Sequence, residues 1–208
     1  MEENLKSAKL IGVQVSGGAD SALVLYTLLK NYDTDIIIIT GSLNKENNFN
    51  EIYATNVVDE IRKLTATDKI VKHLFVKFDD KGPGTHPSVI YRRRMMDKIA
   101  SDNGLDLIVA GLTMNPPKGI LSEGRDTRRD NPMPVWIYDE CVVPVYRPFA
   151  QLDKRAIIKA YKQLDILSLF DKTWSCEGSK EDTNNFSIPC KKCWWCKERE
   201  WAVNAEVL

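Results

Sequence analysis

Between Leu10 and Lys30 the sequence changes from one periodicity to another across a short glycine-containing break, and that change limits the folds open to the chain. Leu10-Ile-Gly-Val-Gln-Val15 is a β-rich run, cut by Ser16-Gly17-Gly18. From Asp20 to Lys30, apolar residues then fall at Ala22, Leu23, Leu25, Tyr26, Leu28 and Leu29, a helical pattern with most of its surface covered. The alternation continues downstream. Asp35 to Thr40 is an unbroken apolar run, as expected of a parallel strand buried on both faces. Ile52 to Leu64 reads as helix, Lys72 to Phe78 as strand, Tyr91 to Asn103 as helix and Leu105 to Ala110 as strand. This order predicts an α/β protein with a Rossmann-like parallel sheet and helices on both faces.

Composition narrows the class further. With 208 residues, 43% hydrophobic and 28% charged, the chain suits one full globular domain with a small appendage. Lys plus Arg and Asp plus Glu are 29 each, so the net charge is zero. That argues against stable nucleic-acid binding through a generally basic surface. No apolar run approaches the ~18 residues of a membrane helix, so no membrane partner is expected. The Met1-Glu-Glu-Asn-Leu-Lys start has no basic region followed by an apolar stretch, and the expected location is the cytoplasm. In that reducing compartment five cysteines point to metal or catalysis before disulfides.

Two segments carry the chemistry. Ser16-Gly-Gly-Ala-Asp-Ser21 lies at the first strand-to-helix turn, where two glycines let the backbone approach a ligand and the helix amides face negative charge. Ser16 and Ser21 add hydroxyl donors, and Asp20 is expected to be an N-cap or a ligand for a bridging Mg²⁺. The turn is neither a Walker A loop nor a dinucleotide GxGxxG. The second segment is Cys190-x-x-Cys193-x-x-Cys196, with Cys176 fourteen positions before it. Four thiolates suit tetrahedral Zn²⁺, the expected metal; closely spaced cysteines also hold iron–sulfur clusters. Cys141 stands apart in an apolar stretch and reads as a core residue. Between the two segments, Thr113 to Pro134 holds four prolines and many charges and reads as a long functional loop. Short strands are expected at Val135–Ile137 and Val142–Tyr146, and a helix at Asp153–Leu164 with Asp153 near its N-cap.

SGGADS matches in full the SGGxDS pyrophosphate loop of the ATP pyrophosphatase superfamily, whose fold is of the adenine nucleotide alpha hydrolase type. By that resemblance Ser16, Gly17, Gly18, Asp20 and Ser21 hold pyrophosphate, and the segment Gly41-Ser42-Leu43 lies beside adenine, with Leu43 as an ATP-binding residue. The tail narrows the family. Thr173-Trp-Ser-Cys176 followed by Pro189-Cys-x-x-Cys-x-x-Cys-x-x-Arg199, together with Arg147-Pro148-Phe149, Leu152 and Lys154, resembles the 7-cyano-7-deazaguanine synthases of queuosine synthesis. The resemblance implies a pyrophosphatase domain over residues 1–172 and a zinc-binding tail over 173–208 packed on it. It implies an ATP-dependent ligase that converts 7-carboxy-7-deazaguanine and ammonia to the nitrile through an adenylated intermediate, with ATP as co-substrate and structural Zn²⁺.

In that family a segment S-G-Y-P-D-C-R helps to bind the deazapurine; here it reads Ser122-Glu-Gly-Arg-Asp-Thr-Arg128. Ser122, Asp126 and Arg128 keep their places while the four other positions differ. A carboxylate such as Asp126 can accept from the N–H groups of a guanine-like edge, and Arg128 suits a carboxylate. Arg199 is expected to reach substrate or cap the tail helix. Asp20, Ser21, Lys154 and Arg92, the last from the Arg92-Arg93-Arg94 run, are the expected catalytic set. Trp194 and Trp195 are expected to cover the metal or to form a contact between copies, which leaves a homodimer open. His73 and His86 match no motif. Two other readings compete: a related adenylating enzyme with another acceptor (an amide-forming variant or a tRNA base modifier), and a non-catalytic zinc-containing nucleotide-binding module.

Overall fold

The computed structural model describes residues 2–43, 49–78, 89–121, 126–136 and 143–205. Its strands are β1 (Leu10–Gln14), β2 (Asp35–Leu43), β3 (Ile70–Phe78), β4 (Leu107–Ala110), β5 (Val135–Trp136) and β6 (Val145–Tyr146), in the sheet order β3-β2-β1-β4-β6-β5. The pairs from β3 through to β6 are parallel, with Val13 opposite Ile38 on one side and Val109 on the other. Among the described strands only β5 runs antiparallel, at one edge. The helices are α1 (Glu2–Ser7), α2 (Ala19–Asn31), α3 (Phe49–Thr65), α4 (Val89–Asn103), α5 (Lys154–Gln163), α6 (Leu167–Asp171) and α7 (Trp194–Ala205). None of the described helices is long and apolar enough to cross a membrane.

The continuous apolar run of β2 is explained by a core on each face of the sheet. Ile36 and Ile38 pack into a layer with α2, α3, α5 and α6 residues such as Leu25, Ile61, Ile157 and Leu169. Ile37 and Ile39 point the other way, onto Ile99 and Ala100 of α4. Leu107 and Val109 of β4 join the first layer and Ile108 the second, as a two-residue period dictates.

The connections set the position of a crevice. From β1 the chain moves outward to β2 and β3, then returns to the opposite side of β1 with β4. The order therefore reverses between β1 and β4, and ligands of open parallel sheets bind at the carboxyl ends of the strands flanking such a reversal. Helix α5 begins where expected: Asp153 is its N-cap, accepting from the Arg155 amide at 2.9 Å. Within 113–134 the described residues contain one 3₁₀ turn, Thr127–Arg129, capped by Asp126. Cys141 lies outside the described residues.

Candidate active site

The break between β1 and α2 is a compact hydrogen-bonded loop. Gly18 is the N-cap of α2 and makes no side-chain cap bond, so Asp20 lies inside the first helical turn and is not the cap. The cap's role is taken up within the loop: the Ser21 hydroxyl donates to the Gly18 carbonyl at 3.0 Å and accepts from the Ser16 amide at 3.3 Å. The Ser16 hydroxyl accepts from the Gly18 amide at 3.4 Å. The N–H groups of the following first turn have no intrahelical acceptor and present partial positive charge.

Gly17 is glycine for two reasons. Its φ is +82°, and a Cβ there would stand 2.6 Å from Tyr53 Cβ and 2.7 Å from the Tyr53 carbonyl carbon. A third contact comes from far along the chain, where the Trp174 amide donates to the Gly17 carbonyl at 2.9 Å. Trp174 in turn stacks on Tyr53 with ring centroids 4.6 Å apart, and Tyr161 donates to the Ala19 carbonyl at 2.8 Å. At the end of β4, Gly111 abuts the start of α2 so closely that a Cβ would lie 2.5 Å from the Ser21 nitrogen.

Asp20 is drawn away from capping by a cation. Lys154 Nζ lies 2.6 Å from both carboxylate oxygens, and the Thr113 hydroxyl donates to Asp20 Oδ2 at 3.1 Å. The Lys154 side chain is 8% exposed and that of Asp20 16%. Thr113 is held by Arg129, which donates to its carbonyl at 2.8 Å and to its hydroxyl at 3.0 Å. Arg129 closes on Glu198 of α7 at 2.6 Å, with side-chain exposures of 3% and 0%.

A cavity of about 600 Å³ opens beside this loop at the β1/β4 reversal. Ser16 and Ser21 line it on one side, Ile39, Gly41 and Phe78 on another, and Asp126, Arg128, Arg129 and Arg147 supply its charged wall. The two substrate candidates also bind each other: Asp126 accepts from Arg128 Nε and Nη2, each at 2.8 Å. Hydrogen bonding to Arg128 holds the Asp126 carboxyl below its ordinary range.

The remaining expected residues lie elsewhere. The Arg199 guanidinium donates to the Phe170 carbonyl at 3.1 Å and the Thr173 hydroxyl at 2.7 Å, so it caps the C-terminal end of α6 and not the tail helix. It also lies 3.8 Å from the centroid of the Phe170 ring. Ser122 falls outside the described residues, as do the side chains of Leu43 and Arg92, although β2 and α4 carry their backbones. Trp195 lies under the Arg129 guanidinium at 5.0 Å, and Trp194 is buried. Sequence reasoning did not single out Thr113, Asn115, Arg129, Arg147 or Glu198 as site residues. Asn115 is buried and donates to the Asp126 carbonyl at 2.6 Å, which ties down the loop's cavity-facing part.

The four cysteines converge as their spacing predicts. The sulfurs of Cys176, Cys190, Cys193 and Cys196 lie within 4.8 Å of one another, and all four are free thiols. The amides of Gly178 and Cys190 donate to Cys176 Sγ at 3.2 and 3.3 Å, and that of Cys193 to Cys190 Sγ at 3.4 Å. Burial acts to raise the Cys190 thiol but is overcome by the Cys193 and Lys192 amides and the neighbouring thiols, which bring it to about 7. Phe49, Tyr53, Trp174 and Phe186 pack around the cluster.

The sheet order and the helices on both faces define an α/β protein with a Rossmann-like parallel sheet, a fold it shares with a solved tRNA thiolase. Among solved structures, the U34-tRNA thiolase NcsA from Methanococcus maripaludis, described with its [4Fe-4S] cluster, superposes with a TM-score of 0.54. It is 12% identical, and the match covers 99% of this chain and 74% of that one. An NH3-dependent NAD synthetase from Campylobacter jejuni gives a TM-score of 0.46 at 12% identity, covering 99% and 91%. Within the class, residues 138–206 match the family model of the queuosine biosynthesis protein QueC. That stretch contains Arg147-Pro148-Phe149, Lys154 and the four cysteines, the segment on which the resemblance to 7-cyano-7-deazaguanine synthases rests, and the match supports it. No curated protein matches the chain.

Proposed function

We propose that the protein is an ATP-dependent ligase of the 7-cyano-7-deazaguanine synthase type, in which residues 1–172 form the nucleotide domain and 173–208 a metal-holding tail. One observation carries the reading: the SGGADS loop heads α2, whose first-turn amides suit an anion, and borders a cavity at the β1/β4 reversal whose charged wall can receive a carboxylate. The fold and the match over 138–206 support an ATP-using adenylating enzyme, and the substrate assignment is the finer step.

The chain's own groups suit this chemistry. Pyrophosphate would lie on the first-turn amides of α2 with the Ser16 and Ser21 hydroxyls, and Lys154 would neutralise its charge beside Asp20. Arg128 and Arg147 would face the carboxylate of 7-carboxy-7-deazaguanine, and Asp126 would accept from the purine edge. That carboxylate attacks the α-phosphate of ATP and pyrophosphate leaves. Ammonia then displaces AMP to give the amide, and a second ATP activates the amide oxygen, so that loss of AMP leaves the nitrile. Positioning and charge neutralisation carry the rate; no side chain need become a nucleophile. Mg²⁺ commonly binds substrate phosphates, waters and one or two carboxylates, and Asp20 is the candidate carboxylate here.

For the tail we propose one structural Zn²⁺ held by Cys176, Cys190, Cys193 and Cys196. A tetrahedral ion at about 2.3 Å from each sulfur sets the sulfurs about 3.8 Å apart. The observed grouping within 4.8 Å favours a single ion over a cluster whose cysteines are spread over separate irons. Zinc would supply a cross-link between residues distant in sequence.

Product analysis by mass spectrometry tests the proposal. Protein with ATP, Mg²⁺, ammonium and 7-carboxy-7-deazaguanine is expected to give the nitrile and AMP, and Asp20→Ala to abolish AMP release. Amide with AMP would assign the amide-forming variant. Neither product from a folded, metal-loaded protein would refute the acceptor.

A further inference from the structure

Four alternating charges run from the nucleotide loop to the tail helix: Lys154 on α5, Asp20 on α2, Arg129 on the 3₁₀ turn and Glu198 on α7. Thr113 joins the two pairs. Its single hydroxyl hydrogen goes to Asp20 Oδ2, so the lone pairs of the same oxygen are what Arg129 Nη2 meets at 3.0 Å. The direction of every bond is thereby set: Arg129 donates to Glu198 on one side and to Thr113 on the other, and Thr113 donates to Asp20. Thr113 is itself buried, and Arg129 is fixed by two further bonds, to the carbonyls of Thr113 and Met114.

A buried ion pair is weak evidence for stability, because desolvating two charges offsets most of their attraction. What such a pair does fix is arrangement, since a displaced member leaves its partner unpaired and dry. Glu198 is on the helix that begins beside Cys193 and contains Cys196, so its position depends on the tail being folded. Asp20 lies one residue from Ser21 at the loop.

We infer that Glu198 and Arg129 are positioning residues for the nucleotide site: through Thr113 they hold Asp20, and with it Lys154, in place, making the cysteine-bearing tail a working half of the loop. This deepens the proposed function and rests on the loop being the ATP site.

The test uses the full metal-loaded chain with Glu198→Gln, Thr113→Val and Thr113→Ser, and two readouts. ATP affinity by calorimetry is expected to fall about tenfold or more in Glu198→Gln and Thr113→Val and to stay within about twofold in Thr113→Ser, which keeps the hydroxyl. Hydrogen exchange of residues 16–22, measured without nucleotide, is expected to quicken in the first two variants alone, with metal content unchanged in all three. The Glu198→Gln/Thr113→Val double variant is expected to be no worse than the poorer single, because both cut one path. Unchanged affinity and exchange in Thr113→Val, or multiplicative losses in the double variant, would overturn the inference. A wild-type chain that binds no ATP would instead overturn the proposed function, while the exchange readout still decides whether the tail positions the loop.

Discussion

At the scale of single residues, the informative side chains are those whose type suggests one role and whose contacts give another. His73 fits no sequence motif, yet its Nε2 lies 2.8 Å from the Thr40 hydroxyl, which already donates to the Val15 carbonyl at 2.7 Å. Thr40 must therefore accept, so the neutral ring carries its proton on Nε2. Burial first, and then Arg62, lower the His73 pKa below the ordinary 6.5. Because the folded value is depressed, the neutral ring's contribution is complete above about 6.5 and is lost as pH falls toward the folded value, where the unfolded chain takes up the proton first. Thermal melts between pH 7.5 and 5.5 are expected to show a smaller acid-side drop in His73→Gln than in the wild type; equal slopes would refute this role. Ser16, Gly17, Gly18 and Ser21 were legible because the loop's chemistry is local. Arg129 and Glu198 were not: they meet across a separation of 69 residues, and charged residues ordinarily read as a solvated face.

At the scale of elements, the strand and helix order followed from periodicity because β1, β2 and β4 are covered on both faces, α2 on most of its surface, and α3 and α5 on one face. The departures occur where tertiary contacts outweigh local pattern. Helix α1 is only six residues, with Leu5 alone buried, too short for a period to register. Among the described residues β6 spans Val145–Tyr146 and β5 Val135–Trp136, and a two-residue pairing leaves no alternation to read; Ile137 and Val142 of the expected strands lie outside the described residues. The seam between β4 and α2 makes its own prediction. Gly111→Ala would drive a methyl into the Ser21 and Asp20 backbone, neither of which is a flexible side-chain end. A loss of about 1–3 kcal/mol in denaturant unfolding is expected, with weaker ATP binding at temperatures where the variant is folded. A variant as stable as the wild type would mean that α2 can slide on β4.

At the scale of the whole molecule, the metal is expected to govern more than its own tail. Trp174 ties the tail to Gly17, and α7 packs on α5. Elemental analysis is expected to find one zinc per chain. Stripping it with a chelator, or replacing Cys193 by Ser, should lower the melting temperature and weaken ATP binding together; loss of metal with affinity intact would separate the two regions. The cysteine spacing made the convergence of the four thiols readable from sequence. The tail's contact with the loop was unreadable, because spacing within a segment says nothing about what the segment packs against.

The loop at residues 16–21 makes its closing contacts with residues far later in the sequence. Asp20 meets Lys154 across 134 positions and Ala19 meets Tyr161 across 142, while Trp174 and Glu198 lie further on still. Synthesis proceeds from the N-terminus at about 5–20 residues per second. The first strand and helix can therefore form early, but the loop between them stays incomplete until residues 154–198 have emerged. A nascent chain arrested before residue 174 is expected to be cut by protease within 16–21, and a released, metal-loaded chain to resist. If the loop is the ATP site, a partly made copy of the protein is expected to leave ATP to the finished ones.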